Sequence, residues 1–125
     1  MLPPIFTAVA LFVGSVFLQA ESDRMVKVFA AGDADQISGY FNPSIQLTTP
    51  GKEGVYSKSQ AKMILSDFFS TNAPSSASLK SKGNSDNGAQ FIQLNLVTAK
   101  GNFTVNIYYR GSGSKMLIHE LKIEK

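Results

Sequence analysis

The sequence predicts an α+β domain of two layers, an antiparallel sheet with helices gathered on one face. Two observations carry this. The C-terminal third, residues 90–123, holds three runs in which apolar and polar residues alternate: Ile92, Leu94 and Leu96; then Phe103, Val105, Ile107 and Tyr109; then Leu117, Leu121 and Ile123. Alternation with period two is what a sheet with one packed face and one wetter face requires. Upstream, Ala61, Ile64, Leu65, Phe68 and Phe69 keep the i, i+3, i+4, i+7, i+8 spacing of a helix with an apolar stripe. That stripe needs a partner of matching size, and the apolar face of the C-terminal strands is the candidate.

In chain order, residues 1–20 carry no charged side chain and are strongly apolar from Ile5 to Leu18. A run of this length suits the core of a signal peptide better than a membrane span. Leu18-Gln19-Ala20 before Glu21 is an acceptable small-residue cleavage site, although the n-region lacks the usual Lys or Arg. The expectation is a signal peptide over residues 1–20 and one exported domain, periplasmic or secreted, over residues 21–125. A retained N-terminal membrane anchor is the alternative.

The domain opens with a short helix capped by Ser22 or Asp23, with Met25, Val26, Phe29 and Ala30 on one face and Gly32 at its end. Asp33, with Gln36 three residues on, begins a second short helix. Its apolar side is Ile37, Tyr40 and Phe41, and Asn42-Pro43 stops it. Ile45 and Leu47 alternate with Gln46 and Thr48 in a short strand closed by Pro50-Gly51, and residues 51–56 read as a loop. Ser57 and Gln60 form a capping box for the long helix, which runs to Phe69 before Asn72 and Pro74 end it. Ala77 to Lys82 reads as a weaker strand, followed by a polar loop from Gly83 to Gly88. The order is helix, helix, strand, helix, then four strands in a meander.

At 125 residues, 43% apolar and 17% charged, the chain has room for one globular domain. The absence of cysteine excludes a disulfide framework, a thiolate nucleophile and a Cys-based zinc site. A single histidine excludes multi-His metal sites within one chain. No metal or other cofactor is called for. The net charge is +3, and Lys80, Lys82, Lys100, Lys115 and Lys122 are scattered singly. They read as solvated strand edges and turns, with no nucleic-acid partner and no membrane contact after signal cleavage.

The segment Gly51-Lys52-Glu53-Gly54-Val55-Tyr56-Ser57-Lys58-Ser59-Gln60-Ala61 resembles a family of small exported proteins of unknown function, found mostly in the Bacteroidota. The likeness continues through Ile64-Leu65-Ser66-Asp67-Phe68-Phe69, Gly88-Ala89-Gln90 and the closing residues 117–124, covering nearly all of residues 21–125. That family lies within the nuclear-transport-factor-2-like superfamily. The resemblance implies a cone: a curved antiparallel sheet packed on one long and two short helices. It brings no activity, because the family itself has no established one, and the superfamily includes isomerases, dehydratases and cyclases beside non-catalytic binding and dimerising domains, so fold alone decides nothing about chemistry. Isomerase-type sites need a carboxylate base on the pocket face of the sheet, opposite a Tyr or a protonated acid. The apolar parity of the last three strands holds no Asp or Glu; Glu120 has the other parity and Asp67 sits on a helix.

His119 falls on the apolar parity between Leu117 and Leu121 and is the candidate catalytic residue, a neutral imidazole able to act as a base near neutral pH. The plainer alternative is a half-buried core histidine bonded to a carbonyl or a tyrosine hydroxyl. Tyr40, Phe68, Tyr109 and His119 are the candidate ligand-binding residues, from an aromatic set that could equally be core. Phe91, Val97, Met116 and Ile118 interrupt the expected wet face and suggest a covered surface, such as a homodimer contact. These observations favour an exported, non-catalytic binding or interaction domain, holding a small apolar ligand or forming a homodimer. The alternative is a lyase or isomerase using His119 with a tyrosine in an apolar pocket.

Overall fold

The computed structural model describes residues 20–84 and 88–125. The expected signal peptide, except its last residue, and the tip of the 83–88 loop lie outside the described residues. Helix α1 covers residues 20–30 of the described chain, and α2 is Ala34–Ser38. Strands β1 (Phe41–Thr49) and β2 (Lys52–Ser57) precede the long helix α3 (Lys58–Thr71). Strands β3 (Pro74–Asn84), β4 (Gln90–Thr98), β5 (Gly101–Arg110) and β6 (Leu117–Glu124) follow, with a short 3-10 turn at Gly113–Lys115.

The six strands form one sheet in the order β2-β1-β6-β5-β4-β3. Every neighbouring pair is antiparallel except β1 and β6, which run parallel. The meander of β3 to β6 is thus joined through β6 to an N-terminal hairpin, which makes the sheet mixed rather than wholly antiparallel. Its inner face is apolar: Ile45 and Leu47, Leu94 and Leu96, Val105 and Ile107, Leu121 and Ile123 are all buried.

Helices cover that face. The capping box opens α3 as expected: the Gln60 amide donates to Ser57 Oγ and the Ser57 amide donates to Gln60 Oε1, both at 3.2 Å. The helix buries Ala61, Leu65, Phe68 and Phe69, while α1 buries Met25, Val28 and Phe29. Four rings then meet edge to face in a chain across the core: Phe103–Phe68 at 5.1 Å, Phe68–Phe69 at 5.6 Å and Phe69–Phe29 at 6.2 Å. Each such pair adds roughly 0.5–1.5 kcal/mol beyond area burial. Lys62 of α3 pairs with Asp35 of α2, tying the helices together at the surface. The outer face is polar, with Ser81 donating to Gln93 at 3.1 Å and Gln93 donating to Asn106 at 2.8 Å across adjacent strands.

Several expectations need correction. Residues 51–56 are not a loop: Lys52–Ser57 is an edge strand pairing with β1 from Thr49↔Lys52 to Ser44↔Ser57. Its two charges and a glycine disguise it, because an edge strand has only one neighbour and needs little apolar surface. The second helix stops at Ser38, and Phe41 begins β1 instead of lining α2. Asn42-Pro43 falls inside β1 without cost, because the pairing with β2 begins at Ser44 and the register with β6 jumps from Phe41 to Gln46.

The larger correction concerns β6. Tyr108 faces Glu120 but its neighbour Tyr109 faces Ile118, so His119 is the extra residue of a β-bulge. A bulge reverses parity beyond it. Ile118 and Met116 therefore turn into the core, while Leu117 is 40% exposed. Two of the four residues taken to mark a covered outer surface, Met116 and Ile118, are core residues. Of the others, Phe91 leans on Tyr108 at 6.5 Å between ring centres and Val97 is exposed.

Candidate functional site

A cleft of about 690 Å³ opens along one side of α3, between that helix and one end of the sheet. The helix contributes Gln60, Met63, Ile64, Asp67, Phe68 and Thr71, spaced by threes and fours on a stripe beside its core-facing one. Ile64 and Phe68 belong to both stripes. Met63 is 68% exposed, a large apolar side chain on an otherwise wet flank.

The opposite wall comes from strand ends. The β1–β2 turn supplies Thr49, Pro50 and Lys52, and Tyr56 lies further along β2. The β4–β5 turn supplies Lys100, the start of β5 supplies Phe103, and Lys125 follows β6. Topology explains the convergence. Thr48 pairs with Lys122, Thr104 with Glu124 and Thr98 with Gly101, so the three chain segments finish at one end of the sheet. The β4–β5 turn is held by Thr98, whose hydroxyl donates to the Gly101 carbonyl at 2.7 Å and accepts from the Lys100 amide at 3.2 Å. The Lys125 ammonium lies 5.7 Å from the centre of the Phe103 ring, a cation–π contact at the cleft floor.

The other end of the sheet is closed by α1. Glu21, only 5% exposed, accepts from the Gly113 amide at 2.8 Å, and Arg24 donates to the Gly113 carbonyl at 3.3 Å. The turn they clasp depends on Gly111, where φ is +79° and a Cβ would overlap the Lys115 carbonyl oxygen. The Arg24 guanidinium lies 5.6 Å from the centre of the Tyr40 ring, and the Tyr40 carbonyl accepts from the Ile118 amide at 2.7 Å. Burial pushes the Tyr109 phenol up to about 12, with the negative charge of Glu21 adding to the shift.

Of the four residues named from sequence as ligand-binding, Phe68 lines the cleft. Tyr40 and Tyr109 lie at the closed end, and the half-buried His119 sits in the bulge beside Ile118. Phe103 and Tyr109 are six residues apart on β5, roughly 20 Å along the strand, so the two groups do not share a site. From sequence alone neither Met63 nor the convergence of the cleft lysines is singled out. Met63 carried a signal, falling three residues from both Gln60 and Ser66 on a flank otherwise polar; the lysines carried none, because strand pairing alone brings them together.

Two crystal structures resemble the chain closely. One, of a protein from Bacteroides fragilis, shares 29% identity over 81% of this chain and 94% of that one, with a TM-score of 0.72. The other, from Bacteroides ovatus, shares 27% identity over 80% and 90% of the two chains, also with a TM-score of 0.72. Both are described as DUF4783 family proteins. The fold also matches a de novo designed protein with a curved β-sheet, at 16% identity and a TM-score of 0.64 over 85% of this chain and 99% of the design. A variant of the design Rd1NTF2_05 matches at 17% identity and a TM-score of 0.62, over 85% and 95% of the chains. These place the fold as nuclear-transport-factor-2-like. No curated protein matches the sequence. Residues 22–124 match the family described as a domain of unknown function, DUF4783, and the chain belongs to that family.

Proposed function

We propose that the domain is a non-catalytic binding module, exported from the cytoplasm, that seats a small and largely apolar molecule in the cleft beside α3. The observation that carries this is the cleft itself: about 690 Å³, floored by Phe68 and Phe103 and walled by Ile64 and the exposed Met63. Its volume lies in the range of small-molecule sites, and apolar walls with a few convergent polar groups are their usual composition. Tyr56 lines the cleft but His119 does not, so the cleft lacks the histidine on which the lyase or isomerase alternative rests. With Met116 and Ile118 in the core, the homodimer forms no part of the proposal.

The test uses N-phenyl-1-naphthylamine, a neutral apolar probe that fluoresces on leaving water. Saturable enhancement is expected with the wild-type domain. Met63→Asp places a charge on the cleft wall at a position exposed enough to spare the fold, and should weaken the probe by about tenfold or more. Val55→Asp, at a position 70% exposed on the outer face of β2, should leave binding unchanged. Absence of saturable binding, or equal weakening by both substitutions, defeats the proposal.

A further inference from the structure

The cleft has an electrostatic character that an apolar ligand leaves unused. Lys52, Lys100 and Lys125 reach it from three separate strand ends, and Asp67 is the one carboxylate side chain among the lining residues. Among the described residues, neither Lys52 nor Lys100 is engaged in an ion pair. Ammoniums gathered over apolar walls favour a ligand that carries a negative charge at one end and an apolar body at the other.

We infer that the ligand is an anionic amphiphile, its apolar body lying between Met63, Ile64, Phe68 and Phe103 and its charged head held at Lys52 and Lys100. This rests on the cleft being a binding site, as proposed above. Lys125 has a second role, since its ammonium covers the Phe103 ring. The charge therefore has to be tested at the other two lysines.

Hydration gives the test its sign. A carboxylate is more costly to draw out of water than a hydroxyl, so an uncharged cleft prefers an alcohol to the acid of equal chain length. A preference for the acid therefore reports the lysines. Decanoate and decan-1-ol are to be compared as displacers of the neutral naphthylamine probe. Decanoate is expected to displace it at about tenfold lower concentration, with the advantage shrinking as salt is raised. Lys52→Gln with Lys100→Gln should abolish or reverse the preference. Lys80→Gln with Lys82→Gln, on the exposed edge strand β3, removes the same charge elsewhere and should preserve it.

Equal or better displacement by decan-1-ol from the wild type overturns the inference and leaves the cleft proposal standing. So does a preference that falls equally in both double variants, or a bound probe that neither compound displaces. A probe that does not bind removes the cleft proposal and this inference with it.

Discussion

Tyr109 meets two conditions that oppose ionisation: it is buried, and the carboxylate of Glu21 adds its charge nearby. The consequence for stability has a definite sign. The unfolded chain releases the phenolic proton near the ordinary value of 10, whereas the folded chain holds it to about 12. Below the lower value both states keep the proton and this group contributes no pH dependence. Between the two values the unfolded state binds fewer protons, so stability falls as pH rises. Urea midpoints measured at about pH 9 and about pH 11 should therefore drop less for Tyr109→Phe than for the wild type. Equal drops would mean that Tyr109 ionises as freely in the folded protein as in the unfolded one. The sequence pointed to Tyr109 on its strand but not to Glu21. The apolar parity of the last three strands holds no carboxylate, and this one arrives from α1, at the border of the apolar residues 1–20 where no strand periodicity applies.

Helices and strands differ in how fully the sequence announces them. The long helix is legible to within a turn, because Ser57 and Gln60 mark its start and Ala61, Leu65, Phe68 and Phe69 mark its buried side. The last strand is legible as a strand but not in its facing. Leu121 and Ile123 fix one parity, and the single inserted residue His119 reverses it ahead of Leu117 and Ile118, which put an apolar residue on each face of the strand. A one-residue bulge is invisible to a pattern with period two, since Leu117 and Ile118 serve equally well as the inward residue. The structure resolves the ambiguity with a measurable consequence. Ile118→Ala removes a side chain with no exposure and should cost about 2–5 kcal/mol. Leu117→Ala, at the exposed neighbour, should stay within about 0.5 kcal/mol. Chemical denaturation of both variants checks this, and a reversed order would place the bulge elsewhere in the strand.

At the level of the whole molecule, the fold class followed from alternation and helical spacing, while the cleft did not. Lys100 reads from sequence as one of several solvated lysines and Lys52 as part of a loop, and only the pairing of β1, β5 and β6 brings them to one mouth with Lys125. Export has its own test. Protein recovered from outside the cytoplasm should begin at Glu21, and an intact mass for the full 125 residues would refute cleavage. Cleavage there keeps the Glu21 contact with Gly113, which together with Arg24 clasps the turn before β6 to α1. The position of β6 has a further consequence, for the order of events during synthesis. β6, the last in sequence of the described strands, lies between β1 and β5, near the middle of the sheet. Until a ribosome has finished it, the nascent chain holds a hairpin and a three-stranded meander with no ladder between them. Contacts so distant in sequence form late and slowly. The sheet is thereby kept open until β6 has been made.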